Sequence, residues 1–503
     1  MKMLRNTAER FFTPQVYEVI LYTAGCGCSL ILKVIIATVI NCTGLSFWTA
    51  YLITHIFLLF CSFFYHHCIT FRKKFDSFSS TAKDFLDFTA AVAALKILDY
   101  FLVNIGIESL KRYLIPEDAS MAVRQIVNAG TIICISGSIF VLRYFIYRIL
   151  FKKAPVEYYT GNNVKYVYLA FAADSTVSGN AASGGTVTAL LLHMLKTGKI
   201  DGALVTVSDF SLPADRRFHT VIAKTEDDLR RSQGSVYCDF RYITEETLEQ
   251  LRSFSGRIAA VGLPCQLKQL DGICSQYPDL TEKMVLKIGL FCGHTSKPEL
   301  LKEVLKKKNI AEDDVSSFRF RQGKWRGSAK AVLKNGEIRQ WPTAFYNLYQ
   351  NLFAASPARC MCCFDHFAEQ ADISTGDVWC QKYRFAEVKP SITAIRSERG
   401  AEYFSEAVHS GEITVQEKTL KDLYKANSRS AIFHKAAAAK AKVLKKYGIK
   451  IPVPAEARPA RWNEILAVKM IAVFYTRKTA DVLKINRRIL KFCLYVMKGL
   501  TSF

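Results

Sequence analysis

Apolar positions are unevenly spread along the chain. Before about residue 151 they form four long runs, near 17–40, 46–70, 85–107 and 125–150, each close to the roughly 20 residues a helix needs to cross the hydrocarbon core of a bilayer. Short polar connections such as Asn41-Cys42-Thr43-Gly44 separate them, so the pattern predicts four spans. The first run starts too far in, and lacks a small-residue cleavage site, for a removed signal peptide. From about residue 158 the pattern changes. "VKYVYLAFA" reads as a strand, "AASGGTVTALLLHMLKTGKI" as a glycine loop entering an apolar-periodic helix, and "DGALVTVS" as a second strand. Further strands are expected at "GRIAAVG", "MVLKIGLF" and "SSFRFRQG". This order fits a buried, partly parallel sheet. The expected fold is an α-helical four-span membrane bundle (1–153), a soluble α/β or α+β domain (158–416) and a basic helical tail (417–503).

Composition adds the charge. The 503 residues are 50% hydrophobic and 22% charged, which excludes a single small domain or a disordered chain. With 68 Lys+Arg against 44 Asp+Glu the net charge is +24, a surplus that points to an anionic partner. Between 417 and 503 there are 20 Lys+Arg and 5 Asp+Glu, a surplus of 15. Laced with aromatics at helical spacing, this tail reads as an interfacial segment on anionic lipid. No zinc finger, recognition helix or RNA-binding aromatic motif accompanies it, so no nucleic-acid partner is expected. Basic clusters at Arg72-Lys73-Lys74 and at Lys152 and Lys153 place the soluble domain in the cytoplasm of a multi-pass inner-membrane protein by the positive-inside rule. Within the spans, Lys33, Lys96, Asp99 and Arg143 would each cost about 2.5–3.5 kcal/mol facing lipid. They read either as a polar pathway or as structural ion pairs.

Candidate chemistry concentrates in 158–416. Fifteen cysteines, an odd number unevenly spread, suggest metal ligation or free thiols in a reducing compartment more than a disulfide framework. Cys265 in "VGLPCQLKQL" and Cys292 in "KIGLFCGH" follow strands; Cys360 and Cys363 in "ARCMCCFDHF" are spaced to face one centre. Four thiolates from three loops suit a 4Fe-4S cluster or a structural zinc. Ser183, Gly184 and Gly185 open a helix, where free amides and the helix dipole favour an anion. His294 and His366, each beside ligand candidates, are candidates for delivering a proton.

The glycine loop, "GLPCQL", "IGLFCG", "FRFRQGKWRG", "RCMCC" and "ADISTGDVW" follow the order and rough spacing of the beta subunit of coenzyme F-420 hydrogenases and dehydrogenases, which residues 158–416 resemble. The resemblance implies a flavoprotein oxidoreductase with FAD and a 4Fe-4S cluster, exchanging electrons with an unidentified donor or acceptor protein. It places Ser183, Gly184 and Gly185 at the FAD phosphates, and Cys265, Cys292, Cys360 and Cys363 on the cluster. Arg319, Arg321, Lys324 and Trp325 would lie near the cofactor or substrate cleft, with Asp372, Gly376, Asp377 and Trp379 shaping the turn beside it. The chain departs from the family at Ser235-Val236-Tyr237, where a Ser-Lys-Tyr stretch is common, and at Cys380, where a glycine is usual. Residues 15–153, with the span ending "CSFFYHHCITFRKKF", resemble the GtrA-like family. That resemblance implies a link to polyprenyl-phosphate-linked sugars and cell-surface polysaccharide, with His66 and His67 where the family carries an Asn-Arg stretch. Two other readings stand beside the enzyme: a translocation or accessory protein for polyprenyl-linked sugars with a redox-sensing cytoplasmic domain, and a zinc-stabilised scaffold.

Overall fold

The computed structural model describes residues 14–41, 47–71, 78–113, 120–151, 154–323, 327–386 and 389–501. The chain forms two compact units, 1–154 and 155–503.

In the first unit the apolar runs become four helices: α1 (Pro14–Asn41), α2 (Phe47–Phe64), α3 (Phe78–Tyr113) and α4 (Met121–Phe151). Three stretches, Leu52–Thr70, Thr81–Ser109 and Met121–Tyr147, are long and apolar enough to cross a membrane. The fourth expected span falls on α1, which is not among them. Ile53, Phe57, Leu86, Ile97, Ile126 and Ile133 lie exposed on the outside, whereas Tyr22, Phe63, Phe88, Tyr144 and Tyr147 pack together inside. A π-helical turn, Tyr65–Thr70, continues α2 and buries both histidines. His66 Nδ1 is 3.1 Å from Thr70 Oγ1 and His67 Nε2 is 3.6 Å from Asp84. Both are thus turned into protein rather than toward a lipid phosphate. Asp99 accepts a hydrogen bond from Ser136 across the α3–α4 packing, 2.9 Å; Lys96 is exposed and Arg143 half-buried. The side chain of Lys33 and the basic clusters at 72–74 and 152–153 lie outside the described residues.

The second unit is built on an eight-stranded sheet in the order β11-β1-β10-β9-β5-β4-β2-β3, with β1 Tyr166–Ala172, β2 Gly202–Ser208, β3 Phe218–Ala223, β4 Ile258–Gly262, β5 Met284–Leu290, β9 Ile373–Asp377, β10 Ser391–Ile395 and β11 Ile413–Lys418. The centre, β2-β4-β5-β9, is parallel; both flanks are antiparallel. Strands β4 and β10 are buried at every position, as expected where both faces of a sheet are covered. The strand expected at "SSFRFRQG" forms, but as β6 (Val315–Gln322) of a separate antiparallel sheet with β7 (Ser328–Leu333) and β8 (Ile338–Pro342).

The helices that matter below are α5 (Thr186–Lys196), α6 (Pro264–Cys274), α7 (Ala358–Cys362), α8 (Leu420–Lys435), α9 (Ala437–Leu444), α10 (Trp462–Tyr475) and α11 (Arg487–Leu500). The last four correct the expectation of a separate basic tail on a membrane surface. Val468, Ile471, Leu490, Leu494 and Met497 enter the same core as Phe318, Phe345 and Leu352. Their apolar stripe meets protein. Ile489 and Phe492 of α11 remain exposed.

One ion pair ties the two sheets together. Arg321 of β6 has no exposed side-chain surface and donates two hydrogen bonds, 2.5 and 2.8 Å, to the carboxylate of Asp377 at the end of β9. Its guanidinium also lies 4.8 Å from the Trp379 ring centroid. Burial alone would raise the Asp377 pKa, but Arg321 holds it below the ordinary carboxylate value. Replacing Arg321 with alanine strands a carboxylate without its partner, and should cost about 3 kcal/mol in chemical denaturation at neutral pH. Because a depressed carboxylate stabilises above its unfolded pKa and loses that contribution as pH falls through its folded value, the gap between wild type and Arg321→Ala should narrow in acid. A gap independent of pH would exclude the ion pair as its source.

Candidate functional site

Strand ends deliver the ligand candidates. After β4, Leu263 caps α6 through Gln266, whose side-chain oxygen accepts from the Leu263 amide at 2.8 Å, and this places Cys265 in the first turn. Cys292 follows β5. Its parallel neighbour β4 ends on the same side, so the two cysteines emerge together. The short α7 carries Cys360, and Cys363 follows one turn later. All four line one pocket with Asp239, Gln266, His294, Thr295 and His434. Cys360 Sγ lies 3.5 Å from Thr295 Oγ1, and Cys363 Sγ donates to the Asp365 carbonyl at 3.2 Å. The Asp365 carboxylate accepts from the amides of Phe367 and Glu369, 2.9 and 2.8 Å, closing the turn after the Cys-x-x-Cys.

Three of the thiols are shifted by burial and by neighbouring thiols. Burial, then the charges of Cys363 and Cys360, push Cys265 up to about 12, although its exposed surface opens on the pocket. Cys292 is raised well above its ordinary value by burial and by the other three. Burial pushes Cys363 up to about 11, with Asp365 and Cys360 adding to it. Among the described residues no three Cys, His, Asp or Glu close on a single metal ion. A 4Fe-4S cube takes one thiolate per iron, and four cysteines lining one pocket are a donor set of that kind. Of the other thiols, Cys238 also lines the pocket; Cys362 turns away toward the Lys450 carbonyl, 3.9 Å, and Cys274 and Cys380 line neither this pocket nor the adjoining cavity.

That cavity, about 790 Å³, shares Leu263, Gln266, Cys292, His294 and Thr295 with the cysteine pocket. Ser183 and Gly185 line it, and so do Asp377 and Trp379. Gly185 caps α5 with φ +77° and no side-chain cap, leaving the first-turn amides of Thr186 and Val187 at the cavity wall. Gly184 serves the sheet instead: its amide donates to Ser391 Oγ at 3.0 Å, and a Cβ there would stand 2.5 Å from the Ala170 carbonyl oxygen. Arg321 lies behind Asp377 and acts through it. Arg319 is a correction: its guanidinium donates to the Asn180 carbonyl, 3.3 Å, outside the cavity lining. Lys324 and Trp325 lie outside the described residues. Ser235, Val236 and Tyr237 do line the cavity, joined by Lys425 and Arg429 of α8 and Lys491 and Tyr495 of α11, which sequence reasoning had sent to a membrane surface. Also missed is Lys389, buried beside Arg321 and Asp377, its amine pushed down to about 8 by burial and by Arg321.

The histidines are a second correction. His294 donates from Nε2 to the Gln350 carbonyl at 2.7 Å, and Gln350 Nε2 returns a bond to the His294 carbonyl at 3.2 Å. His366 donates from Nδ1 to the Cys292 carbonyl, 2.9 Å, while the Cys292 amide donates to the His366 carbonyl, 3.1 Å. His434, which the sequence did not single out, donates to the Gly293 carbonyl at 2.7 Å. Burial holds His294 and His366 down near 4 and His434 well below its ordinary value. These are neutral rings whose N–H groups brace the Cys292-Gly293-His294 segment, not groups that carry a proton at neutral pH.

Comparison with known proteins agrees with the segment in which this site lies. Two family descriptions match, one for the N-terminal and one for the C-terminal part of the coenzyme F-420 hydrogenase/dehydrogenase beta subunit, over residues 167–243 and 255–421 respectively. The coenzyme F-420-dependent sulfite reductase of Methanocaldococcus jannaschii is 30% identical over 234 residues, 42% of this chain and 33% of that protein. An uncharacterised protein of the same organism is 30% identical over 247 residues, 47% of this chain and 62% of its own length. The Methanosarcina barkeri coenzyme F-420 hydrogenase subunit beta is 25% identical over 49% of this chain and 80% of its own. The chain thus spans about a third and about three fifths of the first two relatives. A chain of the solved F-420-reducing [NiFe] hydrogenase complex from Methanosarcina barkeri has a TM-score of 0.45 at 22% identity, covering 60% of this chain and 98% of that one. Neither family match reaches α1–α4, so the GtrA-like resemblance rests on sequence pattern alone.

Proposed function

We propose that the second unit is an iron–sulfur flavoprotein oxidoreductase in which Cys265, Cys292, Cys360 and Cys363 hold a 4Fe-4S cluster and the adjoining cavity takes FAD. The observation that carries the reading is the convergence of four cysteines from three separated loops on one pocket that shares walls with a 790 Å³ cavity. The names of the relatives, a sulfite reductase and hydrogenase and formate dehydrogenase subunits, support an oxidoreductase. Bound there, the cluster and flavin supply one-electron and two-electron transfer. The protein's share is placement. His366 and His434 fix the carbonyls of Cys292 and Gly293, and Gly185 presents the α5 amides to an anionic group. Asp377, anchored by Arg321, sets a carboxylate on the cavity wall near Ser183. The donor and acceptor belong to an unidentified partner. The three apolar helices support a membrane-tethered enzyme; a cytoplasmic soluble unit draws on the basic clusters of the sequence alone. A role with polyprenyl-linked sugars draws only on the GtrA-like pattern, and the burial of His66 and His67 weighs against lipid-phosphate contact through them.

One preparation separates this reading from the zinc-stabilised scaffold. Protein purified anaerobically should carry about four iron and four sulfide per chain, with flavin bands and a shoulder near 400 nm that dithionite bleaches; a colourless zinc protein refutes the assignment. Cys363→Ser should lower bound iron several-fold, whereas Cys362→Ser, whose thiol turns toward Lys450, should leave it unchanged. Equal iron in both variants would remove Cys363 from the ligand set.

A further inference from the structure

Helix α9 lies beyond the segment matched by the family description, which ends at 421, yet it touches the backbone of Cys363, whose thiol lines the cysteine pocket. Lys440 on this helix is 1% exposed. Its ammonium donates to the carbonyl of Cys363 at 2.9 Å and to that of His434 at 3.3 Å, and it stands 4.8 Å from the Phe433 ring centroid. Those partners are neutral. Lys435, one turn earlier in the chain, pairs with Glu369 at 2.8 Å, whereas no carboxylate pairs with Lys440 among the described residues. The acidic groups whose charge reaches it are the thiols of Cys363, Cys362 and Cys360. Burying an ammonium without an anion costs several kcal/mol, and a chain that keeps one there has an anion to set against it.

A cluster held by four thiolates is a net anion in both redox states and gains one more negative charge on reduction. A fixed cation beside it offsets that charge and favours the reduced state, more strongly in a buried site than in water. Resting on the cluster assignment above, we propose that Lys440 is the counter-cation of the iron–sulfur centre: it offsets the charge of the loaded cluster and raises its reduction potential. Lys440 acts through the Cys363 segment and touches no substrate, so it is a positioning residue. The charge it supplies comes from a helix that the matched family domains do not include.

The test is a potentiometric titration of the full chain, purified anaerobically in detergent, with dithionite as electron source and the cluster followed by absorbance and electron paramagnetic resonance. In Lys440→Gln, which keeps a hydrogen-bond donor but loses the charge, the ratio of reduced to oxidised cluster at the wild-type midpoint should fall about tenfold, about 59 mV for a one-electron couple. Lys440→Arg should stay at the wild-type midpoint. A Gln variant with an unchanged midpoint overturns the proposal, and so does an equal shift in Gln and Arg, which would make shape rather than charge the cause. A Gln variant that loads no iron while Arg loads normally supports the counter-cation; failure of both to load overturns it. Wild-type protein lacking iron and sulfide would instead overturn the cluster assignment itself.

Discussion

Four thiols line one pocket, and burial together with the charge of neighbouring thiols makes three of them, Cys265, Cys292 and Cys363, harder to ionise. The second unit reaches this arrangement with parallel strands. Because β4 and β5 run side by side in the same direction, their carboxyl ends open on one edge of the sheet, the place where open α/β sheets build their sites. Cys265 and Cys292 are placed by that topology alone. Cys360 sits on a five-residue helix and Cys363 directly after it, held by the turn that Asp365 closes. Rigidity around Cys292 comes from three imidazoles used as neutral donors to backbone carbonyls. A charged imidazole would fix the same carbonyls but would also change the electrostatics of the pocket with pH. Burial removes that dependence.

What the sequence made legible follows from how locally each feature is encoded. The four cysteines could be found because strand ends and a Cys-x-x-Cys are short-range signals, and the topology then brought them to one pocket. The expected strands formed, since buried parallel strands are runs of β-branched and small apolar residues. The Arg321–Asp377 pair was not legible as a pair. Both residues were singled out for the cleft, but 56 positions and two sheets separate them, and nothing local says that one anchors the other. His294 and His366 misled for the converse reason: nearness in sequence to a ligand says nothing of where a ring points, and these rings point at carbonyls.

The tail shows the limit of amphipathic patterning. An apolar stripe flanked by lysines satisfies a lipid surface and a protein core equally well, because both remove the same apolar area from water. In α10 and α11 the stripe covers the core around Phe345 and Leu352, and the residues beside it, Lys491 and Tyr495, line the cavity. In the first unit the same test has the opposite outcome, with large apolar side chains of α2, α3 and α4 left on the outside. The difference lies in what else the chain offers as a partner, which a window of sequence does not contain.

Net charge has to be read by depth as well as by count. The surplus of +24 invites a search for an anionic partner outside the protein, and part of it does lie on exposed surface. Another part lies inside. Arg321 and Lys435 are buried and paired with carboxylates. Arg396 is 4% exposed and is held by neutral oxygens of Ser374, Asn163, Thr160 and Phe367. Lys440 is held by two carbonyls. Interior cations without carboxylates are costly in an isolated chain and become favourable once anions are bound next to them. Lys440 bonds the carbonyl of Cys363, whose thiol lines the cysteine pocket. Thiolate-bound iron, as proposed above, is an anion of the kind that Lys440 would balance, so this interior cation does not require a polymer outside the protein to account for it.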